Sequence, residues 1–126
     1  MPEHEKRLLW ISSSYRDLVA VPDEVQDAIG YALDLAQHGQ RADEATQMRG
    51  RLRSVIEIRV DDEVGKSTYR AMYTVSLGDV VYVLDVFQKK SKKGSETPQV
   101  DLARIAGRLK QAREHDEKQR RKARYS

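Results

Sequence analysis

Thr68-Tyr69-Arg70-Ala71-Met72-Tyr73-Thr74-Val75 is followed by the turn Leu77-Gly78-Asp79 and then by Val80-Val81-Tyr82-Val83-Leu84-Asp85-Val86-Phe87-Gln88. The first run alternates, with Tyr69, Ala71, Tyr73 and Val75 on one face and Thr68, Arg70, Met72 and Thr74 on the other, the period of a β-strand. The second run is the most apolar of the chain, which predicts a strand inside a sheet. Upstream, Ile56, Ile58 and Val60 alternate with Glu57 and Arg59, and Asp61-Asp62-Glu63-Val64-Gly65-Lys66 is turn material. Such short connections predict three antiparallel strands in a meander.

Toward the N-terminus, Leu8-Leu9-Trp10-Ile11 stops at Ser12-Ser13-Ser14 and reads as a first strand. The serines offer N-caps for a short helix through Tyr15–Val19, which Pro22 ends. Pro22 then suits the first position of a second helix, with Asp23 and Glu24 at its positive dipole end. Val25, Ile29, Ala32, Leu33 and Ala36 recur at spacings of three and four and make its apolar stripe; Gly39 is its stop. Residues 39–54 are polar and basic without clear periodicity and read as a loop. Toward the C-terminus, Thr97 and Pro98 open a last helix whose expected buried stripe is Val100, Ala103, Ile105, Ala106 and Leu109. The order β-α-α-β-β-β-α predicts an α+β domain, a mostly antiparallel sheet with helices packed on it. Residues 1–112 form the expected single domain and 113–126 a charged C-terminal tail.

A length of 126 residues suits one domain, since domains typically run ~100–150 residues. With 39% hydrophobic and 34% charged residues, and only 7 Gly and 3 Pro, collagen, low-complexity and solenoid classes are excluded. Zero cysteines exclude disulfide frameworks, thiolate zinc sites and thiol nucleophiles. No apolar run approaches the ~18–20 residues of a membrane span, and no secretory hydrophobic region follows the N-terminus. A soluble, cytoplasmic domain without membrane partners is expected.

The net charge of +3 conceals a division. Residues 1–85 hold 10 Lys and Arg against 15 Asp and Glu, whereas residues 86–126 hold 13 against 5. That concentration predicts a polyanion-facing end, with nucleic acid as the partner. Its densest parts are Lys89-Lys90-Ser91-Lys92-Lys93 and the terminal run Lys118–Arg124. The terminal run also fits a frayed, solvated helix end or a disordered arm.

Leu9-Trp10-Ile11-Ser12-Ser13-Ser14-Tyr15-Arg16-Asp17-Leu18 and Gly30-Tyr31-Ala32-Leu33-Asp34-Leu35-Ala36-Gln37 resemble the start of the phage-derived branch of RelE/HigB-like toxins. The Thr68–Val75 strand, the run Val81–Lys93 and Thr97-Pro98 complete the pattern, in order, over about residues 8–112. Phe87-Gln88-Lys89-Lys90-Ser91-Lys92-Lys93, with Thr97-Pro98 after it, is its most specific element. The resemblance implies a RelE/ParE-type microbial ribonuclease fold. It further implies the toxin of a type II toxin–antitoxin system, an endoribonuclease (mRNA interferase) that cleaves mRNA on the ribosome and is neutralised by a cognate antitoxin. A helix-turn-helix or acidic antitoxin is implied as partner. One departure stands out: similar sequences often carry His where this chain has Asp85. A carboxylate facing the RNA would repel phosphate, whereas one facing the core would matter little.

Metal-independent RNA cleavage requires a 2′-OH to lose its proton, the phosphate's charge to be neutralised and the 5′-oxygen to be protonated. Arg70, matched by resemblance to the family's phosphate-binding arginine, and Lys89 and Lys90 at the end of the apolar strand are the catalytic candidates. Alternation allows no more than one of the two lysines onto the active face. Crowded lysines titrate nearer neutrality and can move protons. Arg59, brought near by strand pairing, Lys92, Lys93 and Phe87 are the RNA-binding candidates, Phe87 by stacking on a base. Each has a structural alternative: a cross-strand ion pair of Arg70 with Glu57, a solvated basic loop, and Phe87 in the core. His4, His38 and His115 form neither a ribonuclease-type pair nor a metal cluster, and no cofactor or metal is expected. Two other functions remain open: a ParE-like gyrase-inhibiting toxin, distinguished by a supercoiling assay, and a catalytically silent RNA-binding protein, distinguished by salt-sensitive binding without products.

Overall fold

A computed structural model describes residues 5–64, 66–89 and 97–125. The elements in chain order are β1 (Arg7–Trp10), α1 (Ser14–Val19), α2 (Asp23–Gln37), β2 (Ala45–Gln47), a 3₁₀ turn (Gly50–Leu52), β3 (Ile56–Asp62), β4 (Ser67–Thr74), β5 (Val80–Gln88) and α3 (Gln99–Arg124). The five strands form one sheet in the order β1-β5-β4-β3-β2. β1 runs parallel to β5, and every other pairing is antiparallel. The α+β class and the three-stranded meander are as expected.

Each face of the sheet carries its own core. On one, Val25, Ile29, Ala32, Leu33 and Ala36 of α2 pack on Ile56, Ile58, Ala71, Tyr73, Val81, Val83 and Val86. On the other, Ile105, Leu109 and Ala112 of α3 pack on Met72, Tyr82 and Leu84. Sheet faces and helix stripes match because both were written with their own period, 2 and 3.6.

A β-bulge interrupts β5. Met72 pairs with Asp85, but its neighbour Tyr73 pairs with Val83, so Leu84 is an extra residue on that strand. A one-residue insertion reverses the facing of everything beyond it. Tyr82 and Leu84 face α3, and after the bulge Asp85 and Phe87 face α3 as well, while Val86 joins the α2 core.

Three expectations need correction. Residues 39–54, read as loop, hold β2 and the 3₁₀ turn; three residues are too few to display a period, and β2 exists because Ala45, Thr46 and Gln47 pair with Ile58, Glu57 and Ile56. In α3 the buried line is Ile105, Leu109 and Ala112, and Val100 is exposed. The expected serine cap of α1 is not formed: Ser13 Oγ accepts no backbone N–H and donates instead to the Asp17 carboxylate at 2.8 Å, and Ser14 Oγ, already inside α1, donates to the Val83 carbonyl at 3.1 Å and ties α1 to β5.

α3 runs unbroken through residue 112 to Arg124, about 39 Å at 1.5 Å per residue. Beyond Ala112 it is fastened to the sheet by the Tyr82 hydroxyl, 2.8 Å from His115 Nδ1. Tyr82→Phe removes that bond and leaves the packing intact. A loss of about 1 kcal/mol in denaturant unfolding is expected, with an unchanged m-value.

Candidate functional site

β3, β4 and β5 place three side chains abreast on the α3 side of the sheet: Arg59 pairs with Arg70, and Arg70 with Phe87. Arg70 is 1% exposed. Its Nη1 donates to Glu57 Oε2 at 3.1 Å and to Thr97 Oγ1 at 2.6 Å. The expected alternative for Arg70, an ion pair with Glu57 two residues along the neighbouring strand, is thus present. Thr97 does not cap α3; its hydroxyl serves the buried guanidinium. Arg59 has a side chain 46% exposed and lies 3.5 Å from Asp61, which also accepts a 2.8 Å bond from Thr68.

Lys89 follows β5, with its amide donating to the Thr68 carbonyl at 2.7 Å. Counted from the bulge, residues 85, 87 and 89 share the face of Arg70. The Lys89 ammonium is lowered below the ordinary lysine range, first by desolvation and then by the positive charges of Arg70 and Arg59, against the opposing pull of Glu57 and Asp61. The desolvation is partial, because Lys89 is half-buried. Like charges held near one another favour the neutral amine.

On the other side of Phe87 is a cleft of about 710 Å³ between the start of α1, the end of β5 and the start of α3. Its floor is Asp85, 1% exposed. Arg104 Nε and Nη2 donate to Asp85 Oδ2, each at 2.8 Å, and Arg108 Nη1 to Asp85 Oδ1 at 3.0 Å. Arg108 also donates to the Leu84 carbonyl and to Ser13 Oγ, both at 3.0 Å, and Arg104 to Asp101 at 2.8 Å. Burial raises the Asp85 carboxyl above its usual range, while the bonds from Arg104 and the charge of Arg108 oppose that rise. The carboxylate is therefore turned inward and neutralised by α3, so it does not confront a phosphate at the surface. Arg104 also lies over the Phe87 ring, 5.2 Å from its centroid. Arg16, Arg104 and Arg108 are balanced in the cleft by Asp17, Asp85 and Asp101, whereas Arg59, Arg70 and Lys89 share two carboxylates, Glu57 and Asp61.

Arg59, Arg70, Phe87 and Lys89 are thus brought to one face, whereas Lys90, Lys92 and Lys93 lie outside the described residues. Arg104, Arg108 and Thr97 were missed. Arg104 and Arg108 are one turn apart on a helix that carries a buried stripe, the spacing by which two cations reach one acceptor, but their acceptor is 19 residues or more away in sequence. Among the described residues no three His, Asp or Glu side chains converge as a metal site requires, and no described helix is long and apolar enough to cross a membrane.

Residues 16–110 match the family described as Phage derived protein Gp49-like. The span includes every candidate residue above and ends within α3, leaving residues 111–126 outside. A chain in the crystal structure of the toxin–antitoxin complex RelBE2 from Mycobacterium tuberculosis is 15% identical over 71% of this chain and 98% of that one, with a TM-score of 0.49. No curated protein is significantly similar.

Proposed function

The chain belongs to the phage-derived Gp49-like family, a RelE-type toxin family, and from that premise we propose that it is a metal-independent endoribonuclease that cleaves mRNA on the ribosome and is held inactive by a cognate antitoxin. The observation that carries this reading is the placement of the Lys89 amine on one face with the charges of Arg70 and Arg59.

The reaction is an internal transesterification. The 2′-oxygen attacks the adjacent phosphorus as it loses its proton, the phosphorane's charge is neutralised, and the 5′-oxygen departs with a proton, leaving a 2′,3′-cyclic phosphate and a 5′-hydroxyl. Lys89, with its lowered ammonium, takes part in proton transfer at the scissile phosphate. Arg59, half-exposed, binds the non-bridging oxygens. Arg70 lies beneath both, a fixed positive charge held by Glu57 and Thr97, and acts across a short, poorly screened distance. Lys90, Lys92 and Lys93 hold the flanking backbone, and Phe87, at the rim of the cleft, supports a base.

The test is to incubate the protein with mRNA on programmed ribosomes and analyse the new ends. Products with 5′-hydroxyl ends, suppressed by co-expression of the neighbouring antitoxin gene, are the expected result. Ends with 5′-phosphate indicate metal-activated water, and inhibition of gyrase supercoiling without RNA products indicates a ParE-like activity; either outcome removes the proposal.

A pH profile tests the electrostatics. Arg59→Gln removes one of the charges that depress the Lys89 ammonium, so that pKa moves up. Where cleavage needs the neutral amine, the ascending limb of the rate profile moves to higher pH in the variant. A displacement to lower pH contradicts the coupling.

A further inference from the structure

The last eight residues of α3, Glu117-Lys118-Gln119-Arg120-Arg121-Lys122-Ala123-Arg124, carry five cations and one carboxylate. All eight are exposed. Successive residues turn by about 100°, so Lys118, Arg120, Arg121, Lys122 and Arg124 cover roughly 200° of the helix circumference, with Gln119 and Ala123 on the remaining side. Ala123 is the only apolar side chain among them. A helix that docks into a protein groove needs apolar anchors along one stripe, and this segment has none. Cations over more than half of the circumference of a rod, with no apolar stripe among them, suit a backbone of phosphates, for which charge and spacing matter more than shape.

The rod is also held in place. Tyr82 fastens His115 to the sheet, Asp116 accepts from Arg120 at 3.0 Å, and Glu117 from Arg121 at 2.6 Å, so the helix does not end where the core does. The whole segment lies beyond the part of the chain that matches the family. Its centre is roughly 25 Å along the axis from Arg104, too far for one nucleotide to touch both it and the Lys89 face.

We propose that residues 117–124 form a second RNA contact, a basic rod that grips sugar-phosphate backbone outside the cleaved segment. The proposal rests on the ribonuclease reading in that it lengthens the bound RNA, but its test reads binding alone.

The experiment compares the full-length protein with the triple variant Lys118→Gln, Lys122→Gln, Arg124→Gln, which spares the pairs of Arg120 and Arg121. The probes are two 2′-O-methyl RNAs, uncleavable by transesterification: a 30-mer that spans both regions and a hexamer too short to do so. The triple variant is expected to bind the 30-mer about ten-fold more weakly near 0.1 M salt, and its log Kd against log salt is expected to be shallower by about 2, three contacts at ~0.7 each. Hexamer affinity is expected to stay unchanged. An unchanged 30-mer affinity and slope overturns the proposal. So does an equal loss on both probes, which is general attraction to a cation-rich protein. A loss confined to binding of an acidic polypeptide such as poly-glutamate assigns the rod to a protein partner and overturns it too. Absence of RNA cleavage by the wild-type protein, with the two-probe difference intact, removes the ribonuclease reading and leaves the rod standing.

Discussion

Lys89→Met is expected to lower RNA cleavage by ~10²–10⁴-fold, the range for loss of a positioned proton-transfer group, while the thermal unfolding midpoint stays within about 2 °C of the wild type. The separation arises from where Lys89 sits. Its amide, which bonds the Thr68 carbonyl, is unaffected by the substitution, and its side chain is half-buried at the end of β5, outside both cores. Methionine preserves the apolar stem and removes only the amine. The conservative variant separates charge from proton transfer. Lys89→Arg restores a cation, but a guanidinium stays protonated far above neutrality and does not exchange protons there. Persisting loss in both variants places Lys89 in the proton path, and full recovery with arginine reduces it to a phosphate-binding charge. Wild-type rates in both sink the site assignment.

Asp85→Ala is expected to destabilise the fold by about 3–5 kcal/mol, the cost of stranding buried cations. The side chain of Arg108 is 12% exposed and that of Arg104 33%, so the larger penalty comes from Arg108. Arg104 keeps the Asp101 carboxylate, whereas Arg108 is left with neutral acceptors, the Leu84 carbonyl and Ser13 Oγ. Denaturant unfolding measures the loss. The double variant Asp85→Leu, Arg108→Met removes both members, and most of the stability is expected to return, because the desolvation that burdens the pair disappears with it. A change below ~1 kcal/mol in the single variant means that the carboxylate is not the keystone of this contact between β5 and α3. A neutral histidine at position 85 would offer one acceptor nitrogen, too few for two guanidiniums, so Arg104 and Arg108 belong with Asp85 as a set.

Much of the architecture is legible in the chain. The alternation of Tyr69, Ala71 and Tyr73 against Arg70 and Met72 fixes which face of β4 is buried under α2, and the stripe from Val25 to Ala36 identifies the helix that covers it. These signals are local, because helix and strand periods are properties of consecutive residues. β2 left no such signal, since three residues cannot show a period and its existence depends on β3. Arg70 and Arg59 as neighbours follow from strand pairing, but the burial of Arg70 under Thr97 does not, because Thr97 is 27 residues away in sequence.

The side on which Lys89 falls shows where local reading ends. Alternation alone states that Lys89 and Lys90 point in opposite directions and leaves open which of them joins Arg70. From Tyr82 and Leu84, both against α3, unbroken counting sends Gln88 and Lys90 to the α3 face and Lys89 to the other. The bulge at Leu84 reverses that assignment and carries Asp85, Phe87 and Lys89 across together. No residue in Val80–Gln88 announces it: the run is apolar throughout except for Asp85 and the terminal Gln88, and the extra residue is accommodated by packing on both faces at once. Residue types, periods and the uneven charge are inscribed in the chain. Which cations meet is decided when β4, β5 and α3 close around a buried Asp85, which is stable only where two arginines reach it.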